Sequence, residues 1–227
     1  VGGLVAVMGT FVYEFVTMVP KNDFGICNGM SDSRQSARAA EPLTAWLSKY
    51  LNDVAGMAGD NPLTFGDLWG PEGVDGVERR DINLEMMTTN LTHGRPYRMP
   101  FRNDDDLREN YQFYFREDDF DRLFPGNVVK WMTENPRQIV PGSDNNGERA
   151  AERAKRQIEG YYPLPDPKNL PVIVATRMSL SFPVLLSVIP LYVVDYSKGS
   201  ENTTLERCWF TDGGVCSNFP IHFFDSP

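Results

Sequence analysis

Histidine and cysteine are scarce in this chain, with two and three residues among 227. Cys27, Cys208 and Cys216 are odd in number and show no C-x-x-C spacing, so neither a disulfide framework nor a zinc site is indicated, and a reducing compartment is the expectation. Basic residues are also short: 22 Lys plus Arg stand against 31 Asp plus Glu, a formal net charge of −9. Nucleic-acid binding draws its affinity from Lys and Arg that neutralise phosphates, so no nucleic-acid partner is expected. There is no P-loop and no G-x-G-x-x-G. Asp144-Asn145-Asn146-Gly147 places glycine fourth, where an EF-hand loop needs it sixth. Asp104-Asp105-Asp106 and Glu117-Asp118-Asp119-Asp121 read as solvated charge, and no metal or cofactor is expected.

Long uninterrupted apolar runs are missing too. Residues 1–19 come close to a membrane span of about 20 residues, but they carry Glu14 and two early glycines and no basic segment precedes them. A buried helix is the expectation, with a membrane-facing segment as the alternative. Residues 178–194 are interrupted by Pro183 and Pro190, which points to a buried irregular helix rather than a span.

What remains is the composition of a globular protein, 41% apolar and 23% charged. A chain of this size buries roughly 72% of its surface, enough for a substantial core in one domain spanning residues 1–227. Pro42 suits a first helical position, and Leu43, Trp46, Leu47, Tyr50, Leu51, Val54 and Ala55 recur at helical spacing, so a core-facing helix is expected. Residues 56–81 are glycine-rich and mostly loop, with Leu63, Phe65, Leu68 and Trp69 available for burial. The period then shortens. Ile82, Leu84 and Met86 alternate with polar neighbours, as do Tyr97, Met99 and Phe101, predicting a strand pair around a turn that holds His93. Tyr111, Phe113 and Phe115 predict a third strand, residues 127–135 a short helix, and residues 147–160 a charged surface helix. Prolines 163, 165, 167 and 171 lead stiffly into Val172-Ile173-Val174, which has the look of a buried parallel strand. Residues 192–196 and 205–210 predict two more strands around a Lys198-Gly199 turn. The sum is an α/β architecture.

One stretch invites chemistry. In Arg207-Cys208-Trp209-Phe210-Thr211-Asp212-Gly213-Gly214 a β-prone run ends in an acid followed by two glycines. Open α/β sheets collect ligands at the carboxyl ends of strands, which would place Asp212 as a base. Equally, an acid at that place starts a turn and accepts backbone N–H groups. An aspartyl phosphohydrolase would want a second carboxylate beside it, and only glycines and Val215 follow.

Asp212-Gly213-Gly214-Val215, with Asn218 and Pro220 after it, resembles the Asp-Gly-Gly segment of patatin-like lipid acyl hydrolases. The stretch Ala175-Thr176-Arg177-Met178-Ser179-Leu180-Ser181-Phe182-Pro183 resembles the segment before it in bacterial members. Phe24-Gly25-Ile26-Cys27, Pro62-Leu63-Thr64-Phe65-Gly66-Asp67-Leu68-Trp69 and Gly94-Arg95-Pro96-Tyr97 are similar to further stretches in the same order. The resemblance implies a three-layer α/β/α fold, incomplete at both ends, and a Ser-Asp dyad in which Asp212 is the general base. It implies a lipid or acyl-ester substrate, contact with a membrane surface, and a cytoplasmic or membrane-associated location.

The family's G-x-S-x-G elbow, however, occurs nowhere in these residues. The resemblance therefore puts the nucleophile upstream of residue 1, with Val1-Gly2-Gly3 as one candidate for the tail of the elbow, and the chain alone is expected to be inactive. Ser33 and Ser36 lie in a polar loop, and Ser179 and Ser181 read as bonding to nearby backbone. The alternative is a non-catalytic lipid-binding or scaffold protein of the same fold.

Overall fold

The computed structural model describes residues 2–30, 41–71, 80–101, 113–137, 160–195 and 204–216. Ser33, Ser36, the 104–106 and 144–147 clusters, most of the expected 147–160 helix, Tyr111, the Lys198-Gly199 turn, Asn218, Pro220 and His222 lie outside them. The elements are α1 (Gly2–Lys21), β1 (Gly25–Cys27), α2 (Leu43–Val54), α3 (Phe65–Trp69), β2 (Met86–Asn90), β3 (Arg95–Met99), β4 (Tyr114–Arg116), α4 (Glu117–Asp121), α5 (Gly126–Glu134), β5 (Tyr161–Pro163), α6 (Val172–Leu180), β6 (Val184–Leu186), β7 (Ile189–Asp195) and β8 (Thr204–Asp212).

Alternation in the sequence becomes a six-stranded sheet in the order β3-β2-β8-β7-β4-β5, with every pairing antiparallel. β1 and β6 form a separate parallel pair. The fold is mixed α/β. Its antiparallel sheet removes the parallel-strand argument for a ligand crevice, although Asp212 does close a strand at its carboxyl end.

Helix α6 packs on β2 and β8, and α2 packs on α6. Beneath them Phe65, Phe115, Phe120, Phe124, Phe210, Met99, Leu170, Val174 and Met178 are buried in one cluster. Each fully buried aromatic or aliphatic side chain contributes roughly 1.5–3 kcal/mol. Phe113 and Phe210 meet edge to face, their ring centroids 5.2 Å apart. The short α3 forms because Thr64 and Asp67 cap it reciprocally: Asp67 N–H donates to Thr64 Oγ1 (3.3 Å) and Thr64 N–H to Asp67 Oδ2 (2.8 Å).

Three sequence expectations are corrected. Val172-Ile173-Val174 is the start of helix α6 rather than a parallel strand, since Pro171 holds φ at −64° ahead of it and a three-residue apolar run carries no period of its own. Residues 178–194 are the end of α6 followed by β6 and β7, not one irregular helix, because Pro183 and Pro190 fall where helix stops and strand begins. Residues 2–21 are helical, but the helix is not buried: Val7, Met8, Val12, Tyr13, Val16 and Met18 are each more than half exposed, because the described residues leave most of α1 uncovered. Among the described residues no helix is long and apolar enough to cross a membrane.

α2 is a subtler case. Leu47 and Leu51 face the core as expected, yet Leu43, Trp46, Tyr50 and Val54 point outward, and Trp46 stacks on Tyr50 at 5.5 Å. The buried positions are the polar Thr44 and Ser48. A polar demand from α6 turns the helix, as the site makes plain.

Candidate active site

Asp212 is the last residue of β8, an interior strand with β2 on one side and β7 on the other. Its N–H donates to the carbonyl of Ser181 at 3.0 Å, and Thr211 Oγ1 donates to the same oxygen at 2.6 Å. The Asp212 side chain is half-buried, and its Oδ1 accepts from the N–H of Gly214 at 2.6 Å. Among the described residues it makes no ion pair, and no serine hydroxyl bonds to it. The turn then continues as a single 3₁₀ turn, Gly213–Val215. Gly213 is required by closeness: a Cβ there would stand 2.5 Å from Met87 O.

Ser181, just past α6, is fully buried, and its Oγ donates to the Arg177 carbonyl at 2.6 Å. The expectation of a local backbone bond therefore holds for Ser181. Ser179 sits half-buried on α6. Arg177 is the residue whose role the sequence did not disclose. It is completely buried, and its guanidinium donates to three neutral oxygens: Nε to Thr44 Oγ1 (3.0 Å), Nη1 to Ser181 Oγ (3.2 Å) and Nη2 to the Asn28 carbonyl (3.2 Å). Burial lowers its pKa to about 10, which leaves it a cation at neutral pH. Thr44 is buried on α2 to meet it. Gly29, at φ +82°, clears the space, since a Cβ there would approach Thr44 Oγ1 to 2.4 Å.

Two other polar groups lie near the sheet. His93 sits in the β2–β3 turn as expected, with Nε2 3.8 Å from Cys208 Sγ and 3.7 Å from Glu206 Oε2, and Nδ1 3.4 Å from Asn90 Nδ2. Cys208 is fully buried, and burial pushes its thiol up to about 11, so this Cys-His pair holds a thiol rather than the thiolate that attack requires. The second group corrects the reading of residues 117–121 as solvated charge. Asp118 is exposed, but Asp119 is buried and accepts from the hydroxyl of Tyr192 (2.5 Å) and from Arg122 (3.1 Å). Asp23 completes this network through Arg122 (3.0 Å) and Arg207 (3.2 Å); its carboxyl is raised by burial, against the pull of the two arginines. Arg207 also lies 4.1 Å over the Trp209 ring. The network joins the α1–β1 corner, α4 and the sheet, and within it Arg207 Nε is buried without a hydrogen-bond partner among the described residues. Among the described residues no group of His, Cys, Asp and Glu has a metal-binding arrangement.

Of the segments that carried the sequence resemblance, 175–183 and Asp212 are in direct contact, and 24–27 and 62–69 bond to residues just outside the 175–183 stretch. β1 pairs with β6, Val172 N–H donates to Leu63 O (2.8 Å), and the 175–183 stretch meets Asp212 through Ser181. No family model and no solved structure matches the chain. A protein from Rhizobium meliloti (strain 1021), named RpoH suppressor, is 34% identical to it across 94% of the chain. The chain spans only 37% of that relative, whose name states no reaction or substrate.

Proposed function

We propose that this chain is part of a serine-dependent acyl ester hydrolase acting on lipids, with the three-layer α/β/α fold of the patatin-like family and Asp212 as general base. The observation that carries the reading is the setting of Asp212: it ends an interior strand, is held through its backbone by Ser181, precedes two glycines, and among the described residues has no arginine or lysine paired with it. A carboxylate in that state can take a proton. In the proposed reaction it accepts the hydroxyl proton of a serine as the oxygen bonds to the ester carbonyl. Backbone N–H groups stabilise the oxyanion, the alcohol leaves with a proton, and water hydrolyses the acyl-enzyme with Asp212 again as base.

The serine and the oxyanion segment belong, on this proposal, to polypeptide outside these 227 residues, which the greater length of the Rhizobium relative supports. Exposed apolar side chains on α1 and at Phe24, Ile26, Phe182 and Leu185 support a lipid or acyl-chain contact. A second reading, a non-catalytic lipid-binding or scaffold protein, is favoured by the Asp212 Oδ1 bond to Gly214 N–H, which is what a turn-starting acid makes.

The intact gene product should release fatty acid from phosphatidylcholine vesicles, and Asp212→Asn should lower that rate by about a thousandfold while the protein stays folded. Turnover unchanged by the substitution refutes the assignment. A complete reading frame without G-x-S-x-G selects the second reading.

A further inference from the structure

Arg177 poses an energetic question. A guanidinium taken wholly out of water costs several kcal/mol, and a buried charge is normally matched by a carboxylate. Here its three hydrogen-bonded oxygens are a threonine hydroxyl, a serine hydroxyl and a peptide carbonyl. Such a group is a poor device for stability and a good one for geometry, because its planar fork fixes three acceptors at once. Those acceptors belong to α2, to the segment after β1, and to Ser181 at the end of α6. Ser181 is the junction: its Oγ is gripped between the Arg177 Nη1 and the Arg177 carbonyl, and its own carbonyl receives both Thr211 Oγ1 and the Asp212 N–H. Removing the grip frees the Ser181 peptide to rotate, and with it the anchor of the Asp212 turn.

We propose that Arg177 is a positioning residue for Asp212, acting through Ser181 to fix where the carboxylate of the proposed dyad sits. This rests on the reading of Asp212 as a base. It differs from a merely structural role in acting on the reaction step more than on substrate binding or folding.

The test uses the intact protein with p-nitrophenyl butyrate as substrate and amide hydrogen exchange as an independent reading of the Asp212 N–H. Arg177→Met should fold by circular dichroism, lose about a hundredfold in kcat with KM within about twofold of wild type, and expose the Asp212 amide to faster exchange, as expected for a small misplacement of a reacting group. Arg177→Lys, whose ammonium still reaches toward Ser181 Oγ, should recover part of kcat. If Arg177→Met does not fold, Ser181→Ala serves instead: it deletes the gripped hydroxyl and keeps the carbonyl, and about a tenfold loss of kcat with faster Asp212 exchange is expected. A folded variant with wild-type kcat and wild-type exchange at Asp212 overturns the proposal, as does a loss confined to KM. Hydrolysis that persists in Asp212→Asn overturns the reading of the base, and amide exchange at Asp212 then decides the linkage by itself.

Discussion

The hydroxyl of Thr88 lies 2.8 Å from the carbonyl oxygen of Thr211, tying β2 to β8 one residue before Asp212. The same hydroxyl is 3.2 Å from the Met178 carbonyl on α6, so it joins sheet and helix at the point where the site is built. Its neighbour Thr89 is just as buried, yet its Oγ1 has no hydrogen-bond partner among the described residues. Replacing a bonded buried hydroxyl by a methyl strands its acceptors, whereas replacing an unbonded one relieves a desolvation cost. Thr88→Val should therefore cost about 1–2 kcal/mol, and Thr89→Val should be neutral or stabilising by up to about 1 kcal/mol. Urea unfolding of both variants decides this, and equal losses would show that the hydroxyl of Thr88 is not the tie.

Gly213 and Gly126 make a second contrast. A Cβ on Gly213 would press into Met87, with the carbonyl oxygen at 2.5 Å and the carbonyl carbon at 2.7 Å, while one on Gly126 meets nothing within 4 Å. Gly213→Ala must push the turn away from β2 and should cost roughly 1–3 kcal/mol, whereas Gly126→Ala, in the first turn of α5, should be neutral or stabilising by about 0.5 kcal/mol. Thermal unfolding midpoints report both, and a Gly213→Ala protein as stable as wild type would mean that the turn is not pinned against Met87.

The three thiols should separate cleanly. Cys27 and Cys216 are exposed and Cys208 is buried, so Ellman's reagent should titrate two thiols in the native protein and the third only on unfolding. Because burial raises Cys208 from 9.0 to about 11, the unfolded chain releases its proton first as pH rises. The stability this thiol contributes is complete below pH 9.0 and lost as pH climbs to about 11, on the order of 2 kcal/mol. Cys208→Ala should remove that part of the alkaline loss; an unaltered pH profile between these limits refutes the assignment.

Phe182 and Ile26 are 58% and 59% exposed, so truncating either to serine should shift stability by no more than about 0.5 kcal/mol. If the apolar surface around β1 and β6 meets lipid, the double variant of the intact protein should adsorb less to phosphatidylcholine vesicles in a sedimentation assay. Adsorption equal to wild type removes this surface from the proposed function.

The sequence made some of this legible and concealed the rest for identifiable reasons. The second strand of the β2–β3 hairpin, β7 and β8 stood out because alternation is a local signal, and α5 because its apolar spacing is helical. The first hairpin strand lies at Met86–Asn90, after the alternating Ile82 and Leu84, because its buried run 87–90 carries no alternation. Asp212 was visible because an acid before two glycines is a contiguous pattern. Val172-Ile173-Val174 misled because β-branched runs suit strands, while Pro171 and burial on several sides made this one a helix. Arg177 was hidden for another reason. Its partners Thr44 and Asn28 lie 133 and 149 residues away, and no window of sequence holds them together. The same distance explains α2, whose burial of Thr44 answers a demand from α6 that its own periodicity cannot express.

β8 pairs with β7 from Thr204 to Phe210 and with β2 from Phe210 to Asp212, so the acid at its tip is held by β2 and by the Ser181 carbonyl. Neighbouring loops can lengthen, shorten or change composition from one descendant to the next without retuning where that carboxylate stands. Variation is then free to accumulate at the periphery, while the carboxylate keeps a fixed address.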